Sequence, residues 1–471
     1  MIFRNKVYLT SFPASFWIIN LVQMLEKLAY WCVLLQLPVY IAQKDVPGAL
    51  HWDQALKGII FFWWALFQNL TPLLTGGISD RYGHKKLIYY SYLFIISGYL
   101  ILAFSRDFTS FLSGSIVLGI GSGIFKPAVQ GSFAGTLNEK NSSAGWGIYF
   151  MLLNLAVFFA PPLSKTFKEI SWNWIFWSAV LISAVNLIIV IISPRGTFAS
   201  ENKSADNLHV FKRTIQTLFT PKVFYLVLLM SGFSIIYMQF YETLPNFILD
   251  WSDTRMLAAH LPDFMTSVTP AGKMMSYEWL YNINSLLIIF FIAYVSVFNS
   301  KFRKETVLTA GIVLAIIGLI ISGISTSAFI LILGIIIYTF GEMSVNPKYT
   351  EKLASLSSPN NKALYMSYLN ISSAIGLAFG SLAGAFLYRE FAEKSTLAIR
   401  YLNSFYADVI NYQVKPEDAV STLASLKHIT YFQANELLWN YYQPYLVWLP
   451  FVLIGVISAL GMIYYRRKNS Q

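Results

Sequence analysis

Five charged side chains stand out because each lies inside a long apolar stretch: Glu26, Lys27, Lys126, Glu242 and Glu342. A charge at the centre of a bilayer costs at least about 2.5–3.5 kcal/mol, so such residues normally face a water-filled cavity or one another. They commonly mark the path of a substrate or of protons. We therefore interpret these five residues as candidates for binding a charged solute or carrying protons.

The elements that position these residues are predicted to be transmembrane helices. Of the 471 residues, 56% are hydrophobic and only 12% are charged, which is too apolar for a soluble protein. A membrane-spanning helix needs about 20 mostly apolar residues. The sequence predicts an all-α membrane protein with twelve transmembrane helices, over residues 15–42, 56–78, 86–105, 109–133, 144–164, 173–193, 222–248, 278–298, 306–324, 327–346, 363–388 and 443–465.

The distribution of Lys and Arg predicts the orientation in the membrane. Basic residues are more frequent in the short segments on the side of the two termini, and such segments normally face the cytoplasm. We expect a multi-pass cell-membrane protein with both termini cytoplasmic. Asn-x-Ser/Thr matches at Asn69, Asn141, Asn202 and Asn370 avoid the predicted external loops, which favours a bacterial inner membrane. The positive net charge follows from this topology, and no basic patch indicates a nucleic-acid partner.

The sequence indicates an internal duplication about a polar linker at 194–221. We predict an N-terminal six-helix bundle at 1–193 and a C-terminal one at 222–471, whose external segment at 389–442 folds as a cap with a helix from Pro416 to Leu438. Two patterns recur at offsets of about 220 residues, as expected for duplicated halves with a site between them. The recurring residues are Gly121 and Pro127 with Gly341 and Pro347, and Tyr149, Leu153 and Asn154 with Tyr365, Leu369 and Asn370.

The predicted loop after the second helix carries a recognisable motif. Its sequence is Gly-Gly-Ile-Ser-Asp-Arg-Tyr-Gly-His-Lys-Lys over residues 76–86. This string resembles the loop signature of the major facilitator superfamily, in which an acid and basic residues latch the cytoplasmic side. The resemblance implies a conformational role for Asp80 and Arg81, outside the cavity.

The first predicted helix reads Gln-Met-Leu-Glu-Lys-Leu-Ala-Tyr-Trp. Gln23, Glu26, Lys27 and Tyr30 follow at i, i+3, i+4 and i+7, so they share one helical face. The string is similar to the Glu-x-x-Glu-Arg-Phe-x-Tyr-Tyr signature of the proton-dependent oligopeptide transporters (POT). It departs from that signature at Gln23, Lys27 and Trp31.

Four further segments resemble the same family in order. They are Gly-Ser-Gly-Ile-Phe-Lys-Pro in helix four, Ile-Tyr-Phe-Met-Leu-Leu-Asn in helix five, Ile-Asn-Ser in helix eight and Gly-Glu-Met-Ser-Val-Asn-Pro in helix ten. The resemblance implies binding roles for Lys126, Asn154, Asn284 and Glu342. Because helix one departs from the signature and the resemblance fails over 389–442, we identify the chain as an atypical member.

The chemistry of a free peptide is complementary to these charges. Lys27 and Lys126 suit a carboxylate and Glu342 suits an ammonium, so we expect them to meet at one hydrated pocket, beside Tyr30. Asn154 and Asn284 either bind the peptide amides or hold helices together. The expected substrate is a di- or tripeptide or a similar zwitterion.

Proton coupling is predicted from a charge count. Three intramembrane carboxylates face two ammonium groups, so at least one acid lacks a partner. Glu26 is the first candidate for the proton-coupling carboxylate and Glu242 is the second. Glu242 lies near the external end of its helix, so the alternative is that it simply contacts water and has no role in coupling. Gln23 cannot titrate where the family's helix-one signature has a carboxylate, which leaves altered, relocated or lost coupling as alternatives.

No residue pattern indicates an enzyme. The five histidines fall in predicted loops or helix ends without a nucleophile or a metal-like pair, so we predict no catalytic residues, no metal and no cofactor. We predict a monomeric transporter whose partners are its solute, protons and the lipid bilayer. Two alternatives remain open: a transporter of another organic solute, such as an organic anion, sugar conjugate or drug, and a transport-inactive receptor or scaffold.

Overall fold

The computed structural model describes residues 12–138, 141–194, 196–198, 216–356, 362–407 and 414–469. Within helices, the side chains of residues 76, 77, 80, 81, 142–144, 362–364 and 469 fall outside this description. A bilayer core offers no water to backbone N–H and C=O groups, so apolar stretches close their hydrogen bonds internally as helices. The helices are α1 (Ala14–Leu34), α2 (Leu37–Ala42), α3 (Gln54–Tyr82), α4 (His84–Phe104), α5 (Phe108–Ala134), α6 (Ser142–Ile170), α7 (Trp172–Ile192), α8 (Pro221–Glu242), α9 (Leu244–Trp251), α10 (Arg255–Ala258), α11 (Tyr277–Asn299), α12 (Lys304–Gly323), α13 (Ala328–Leu356), α14 (Lys362–Phe391), α15 (Lys394–Phe405), α16 (Ala419–Lys427), α17 (Tyr431–Tyr442) and α18 (Leu449–Asn469).

The twelve predicted membrane spans are confirmed in the described part of the chain, where twelve helical segments are long and apolar enough to cross a bilayer. Spans one and seven differ from the prediction because neither predicted stretch is one continuous helix. The first divides into α1 and α2, and the stretch predicted as the seventh, 222–248, is interrupted where the span ends at Glu242, so that α9 follows the span. In both cases a Leu-Pro pair opens the second helix, at Pro38 and Pro245. Proline lacks an N–H donor and is tolerated in a first turn but not in a helix interior, so each pair ends one helix and starts another.

The chain forms two compact units, each of which takes segments from both halves of the sequence. Unit 1 comprises Met1–Leu34, Trp63–Val227 and Leu353–Ala374, and unit 2 comprises Leu35–Phe62, Leu228–Lys352 and Ile375–Gln471. In unit 1, α4 packs along α5 and α1 packs against α6 and α7. In unit 2, α12 packs against α18. The predicted linker falls largely outside the described residues, so the domain boundaries at 193/194 and 221/222 stay a prediction.

The segment at 389–442 differs from its prediction. Helix α14 continues to Phe391, and the single helix expected from Pro416 to Leu438 is wrong. A 3-10 turn at Pro416–Asp418 leads into α16, which ends at His428 in a left-handed conformation with φ 54°. The Thr430 hydroxyl then accepts from the Gln433 N–H, in a capping box that starts α17.

A short antiparallel hairpin also departs from an entirely helical chain. Strands β1 (Thr266–Thr269) and β2 (Gly272–Met275) pair in the connection between α10 and α11. Gly272 turns the hairpin with φ 116°, a conformation that side chains with a Cβ rarely adopt.

Close packing of α12 on α13 gives a testable stability prediction. A Cβ placed on Gly318 would lie 2.3 Å from the Tyr338 backbone nitrogen and 2.7 Å from the Gly334 carbonyl oxygen. Because backbone cannot move aside, we expect Gly318→Ala to destabilise the protein by about 1–3 kcal/mol, as overpacked cores do. Thermal unfolding of detergent-purified protein measures the effect.

Gly147→Ala is the matched control, since a Cβ there meets nothing within 4 Å in helix α6. This change should leave the midpoint of thermal unfolding unchanged or raise it, because alanine stabilises a helix by roughly 1 kcal/mol relative to glycine. Equal midpoints for Gly318→Ala and Gly147→Ala would contradict the packing account.

Candidate functional site

In unit 1, helix α1 gathers the predicted charged face. Glu26 is buried, and its Oε2 lies 3.5 Å from the Lys27 ammonium. The same ammonium lies 5.0 Å from the centre of the Tyr30 ring, within the range of a cation–π contact. Glu26, Lys27 and Tyr30 therefore form one cluster.

Lys126 lies on α5 in the same unit and is within electrostatic range of both Lys27 and Glu26. Its side chain is half-buried and forms no ion pair with any described residue. Glycines precede it on α5, and a Cβ on Gly123 would lie 2.6 Å from the Thr71 side chain of α3. Two ammonium groups thus accompany one carboxylate, and the cluster carries one excess positive charge.

Sequence reasoning missed Gln68, which is part of this cluster. The Tyr30 hydroxyl donates to Gln68 Oε1 over 3.2 Å, and the Tyr30 ring packs edge-on against Trp64 at 5.7 Å. Both partners lie on α3. A polar amide in an otherwise apolar helix was the available signal.

In unit 2, Glu342 and Asn284 lie together. The Asn284 amide donates to Glu342 Oε2 over 2.9 Å and to the Thr339 hydroxyl over 3.0 Å. The Tyr241 hydroxyl lies 3.4 Å from Glu342 Oε1. Glu342 is only 5% exposed and forms no ion pair with a described residue, so this site has one unmatched negative charge.

The side-chain amides of the two predicted binding asparagines, Asn284 and Asn154, form different kinds of hydrogen bond. Asn284 on α11 bridges to α13, which is the interhelical bond considered as one alternative. Asn154 instead donates to the Phe150 carbonyl oxygen of its own helix over 2.8 Å. The Nδ2 group of Asn154 is therefore already bonded within α6.

Glu242 is buried rather than wetted, and its neighbour is a lysine that sequence reasoning missed. Lys57 is fully buried, donates to Asn246 Oδ1 over 3.1 Å and interacts electrostatically with Glu242. Lys57 was overlooked because it begins an apolar stretch, where a lysine normally reaches the membrane surface. The structure thus gives Glu242 a positive neighbour.

Asp80 and Arg81 belong to the last turn of α3. Their side chains lie outside the described residues, so their conformational role stays a prediction. Among the described residues, no group of three or more His, Cys, Asp or Glu side chains is arranged to hold a metal ion.

Comparison with known proteins agrees with this architecture. The sequence profile of the Major Facilitator Superfamily matches residues 19–275 and 254–408. An uncharacterized transporter, YclF of Bacillus subtilis (strain 168), is 23% identical over 203 residues, which cover 42% of this chain and 39% of that relative. The chain therefore aligns with well under half of that relative's length.

Solved structures share the fold over nearly the whole chain. A POT family transporter in complex with a thioalcohol-conjugated peptide superposes with a TM-score of 0.69 at 17% identity, covering 96% of this chain and 95% of that one. The nucleoside transporter NupG superposes with a TM-score of 0.69 at 12% identity, covering 96% and 99%. The likeness to POT structures expected from the motifs is thus confirmed as a likeness of fold. With twelve helices in its described part that are long and apolar enough to cross a membrane, and a profile match over most of its length, the chain belongs to the Major Facilitator Superfamily.

Proposed function

We propose that this superfamily transporter moves small peptides or peptide-like zwitterions by alternating access, as a proton-coupled symporter. The observation that supports the proposal most strongly is the sign of the excess charge in each cluster. Lys27 and Lys126 with Glu26 leave one positive charge in unit 1, and Glu342 leaves one negative charge in unit 2. A zwitterion carries one complement for each.

Glu342 is suited to an ammonium group. The Asn284 amide and the Tyr241 hydroxyl hold its two oxygens, so the carboxylate is oriented before a ligand arrives. A buried carboxylate with only neutral donors is costly, and a cationic ligand removes that cost through charge-assisted hydrogen bonds. The N-terminus of a peptide supplies such a group.

Lys126 is suited to a carboxylate. Its ammonium lies near another ammonium, that of Lys27, and repulsion between the two favours an anion that neutralises both. The C-terminus of a peptide supplies this anion. Substrate contacts to Tyr30 and Asn154 belong to the same proposal.

Glu26 is the proposed coupling carboxylate. Its paired ammonium, Lys27, is the same group that an anionic substrate would attract, so substrate binding at Lys27 and protonation of Glu26 are linked. When an anion occupies Lys27, Glu26 loses its counter-charge and gains affinity for a proton. Glu242 is a weaker candidate, since Lys57 offsets its charge.

A second candidate cargo is another small organic solute. Gln23 on the α1 face cannot titrate, and Asn154 already uses its Nδ2 group within α6. The nucleoside transporter NupG also shares the fold over 96% of this chain. We further propose a monomer in a bacterial inner membrane with cytoplasmic termini, and a conformational role for Asp80 and Arg81.

Removal of either proposed ligand anchor should abolish peptide uptake. We expect Lys126→Ala and Glu342→Ala to lower dipeptide uptake into proteoliposomes by about 10- to 100-fold, the loss of one hydrogen bond to a charged group. Neither should change expression or thermal stability much. Normal uptake by either variant would remove that residue from the binding site.

Glu342→Gln is the matched control for this pair. Its amide oxygen can still accept from Asn284 and its amide nitrogen can donate to the Tyr241 hydroxyl, but the charge is gone, so it should lose uptake as Glu342→Ala does. Uptake near that of the parent in Glu342→Gln would show that hydrogen bonding, not charge, is what the site contributes.

Coupling is tested separately at Glu26. We expect Glu26→Gln to reduce uptake driven by an inward acid gradient more than it reduces peptide counterflow, which needs no net proton movement. Equal losses in the two assays would assign Glu26 to structure or substrate binding. Uptake of other solutes without any response to the gradient would favour the second cargo, and no flux for any solute would favour the receptor or scaffold.

A further inference from the structure

A second buried polar cluster lies in unit 2, on the side of the membrane opposite the termini. It joins the connection between spans one and two, helix α9 after span seven, and helices α14, α15 and α17 around span eleven. We name it the carboxylate cluster and define it by Asp45, Asp250 and Lys394. None of the three was singled out by the sequence.

Asp250 on α9 accepts hydrogen bonds from residues of several other elements. It is 4% exposed, and the Gln43 amide donates to its Oδ1 over 2.6 Å. The Tyr388 hydroxyl of α14 donates to its Oδ2 over 2.5 Å. The Lys394 ammonium lies farther away, 3.9 Å from Oδ1.

Lys394 is shared unequally between two carboxylates. Its ammonium lies 2.6 Å from Asp45 Oδ2, much closer than to Asp250. The Tyr431 hydroxyl of α17 also donates to Asp45 Oδ2, over 2.7 Å. Lys394 therefore neutralises Asp45 more completely than it neutralises Asp250.

Among the described residues, no ammonium besides that of Lys394 forms an ion pair with Asp250, and Lys57 acts on it electrostatically only as the weakest of its three carboxylate partners. Lys57 donates to Asn246 and lies beside Glu242, and Lys44 donates to the carbonyl oxygens of residues 51 and 52. The carboxylates that interact with the cluster and its neighbouring ammonium groups outnumber the cations there, so the region carries excess negative charge. The carboxylates are Asp45, Asp53, Asp250, Glu242, Glu393 and Glu417, and the cations are Lys44, Lys57, Arg389 and Lys394.

A proton is the simplest group that restores this balance. The pKa of Asp250 is raised from 3.8 to about 6, because burial and the Asp45 carboxylate raise it by more than the Lys394 ammonium and the hydrogen bonds from Tyr388 and Gln43 lower it. When protonated, Asp250 leaves Lys394 to pair with Asp45 alone. When ionised, it is an unmatched buried charge, which is costly.

We propose that Asp250 is a proton-binding latch that stabilises the assembled carboxylate cluster, on the side of the membrane opposite the termini. As the cluster assembles, the Asp250 carboxylate takes one proton from water on that side and forms an O–H bond. When the cluster opens, water reaches Asp250 and the proton returns to the same side, so no net proton transfer occurs. Acid on that side favours the assembled state, whatever the solute carried.

Cysteine labelling tests the latch without a substrate. The chain has a single cysteine, Cys32, so Cys32→Ser provides a background for one introduced thiol. Ser395 on α15 is buried at 3% exposure beside Asp45, Asp250 and Glu393, and Ser404 is exposed on the same helix. Ser395→Cys reports opening of the cluster, and Ser404→Cys corrects for the rise in thiolate with pH.

The expected labelling is pH-dependent in the parent and flat in the variant. The rate of maleimide labelling at Ser395→Cys, relative to Ser404→Cys, should be at least about threefold higher at about pH 7.5 than at about pH 5. Asp250→Asn imitates the protonated state and should stay at the low rate at both pH values. No pH dependence in the parent, or the same dependence in Asp250→Asn, would overturn the proposal.

Asp45→Asn is the second variant, which also decides the case if Asp250→Asn does not fold. With Asp45 neutral, Lys394 pairs with Asp250, so the pKa of Asp250 falls and the change in labelling should move to more acidic pH. An unmoved transition would overturn the proposal. Labelling needs no transport, so failure of the peptide proposal leaves this result unaffected.

Thermal stability should follow the same titration. The folded-state pKa of Asp250 lies above its unfolded value, so the folded protein binds the proton more tightly. Stability from this group is therefore present at acid pH and is lost as the pH rises through about 6. Lowering the pH from about 7.5 to about 5 should raise the midpoint of thermal unfolding more in the parent than in Asp250→Asn. An equal rise in both proteins would contradict the assignment.

Discussion

A charge withdrawn from water must be matched by another charge or by a proton, and every polar site of this chain depends on that constraint. Side chains buried among apolar helices have little contact with water, so a charge among them is costly unless an opposite charge lies beside it. Lys57 with Glu242 and Lys394 with Asp45 are matched within unit 2. Unmatched charges identify places where something else, a solute or a proton, is required.

The unmatched charges have different chemical partners. The excess positive charge around Lys126 and the excess negative charge at Glu342 fit the two ends of a zwitterion, which is the basis of the proposed transport function. Asp250 differs, because it shares the Lys394 ammonium with Asp45, which lies closer to that ammonium, and a proton is enough to balance the remaining charge. Separate sites of this kind allow solute binding and pH sensitivity to be altered independently.

Much of the fold was predictable from sequence, because the length and apolarity of a span are local properties. The shared face of Glu26, Lys27 and Tyr30 followed from helical spacing. Motif resemblance singled out Asn284 and Glu342 separately but not the hydrogen bond between them, because they lie on different helices. The Asp250 cluster was not predictable, since its members come from connections far apart in sequence and each alone looks like an ordinary loop charge. The Leu-Pro pairs at Pro38 and Pro245 could have indicated from sequence that these helices are broken. The prediction passed over them because the apolar pattern continues through both pairs.

The charge complementarity at the centre of this account is tested most directly by dipeptide binding to purified protein, measured by calorimetry with free and blocked ends. N-acetylation should weaken binding to the parent but not to Glu342→Gln, and C-terminal amidation should weaken binding to the parent but not to Lys126→Ala. Each block and its matching variant remove the same interaction, so their effects should not add. Equal affinity of the parent for free and doubly blocked dipeptides would contradict the account.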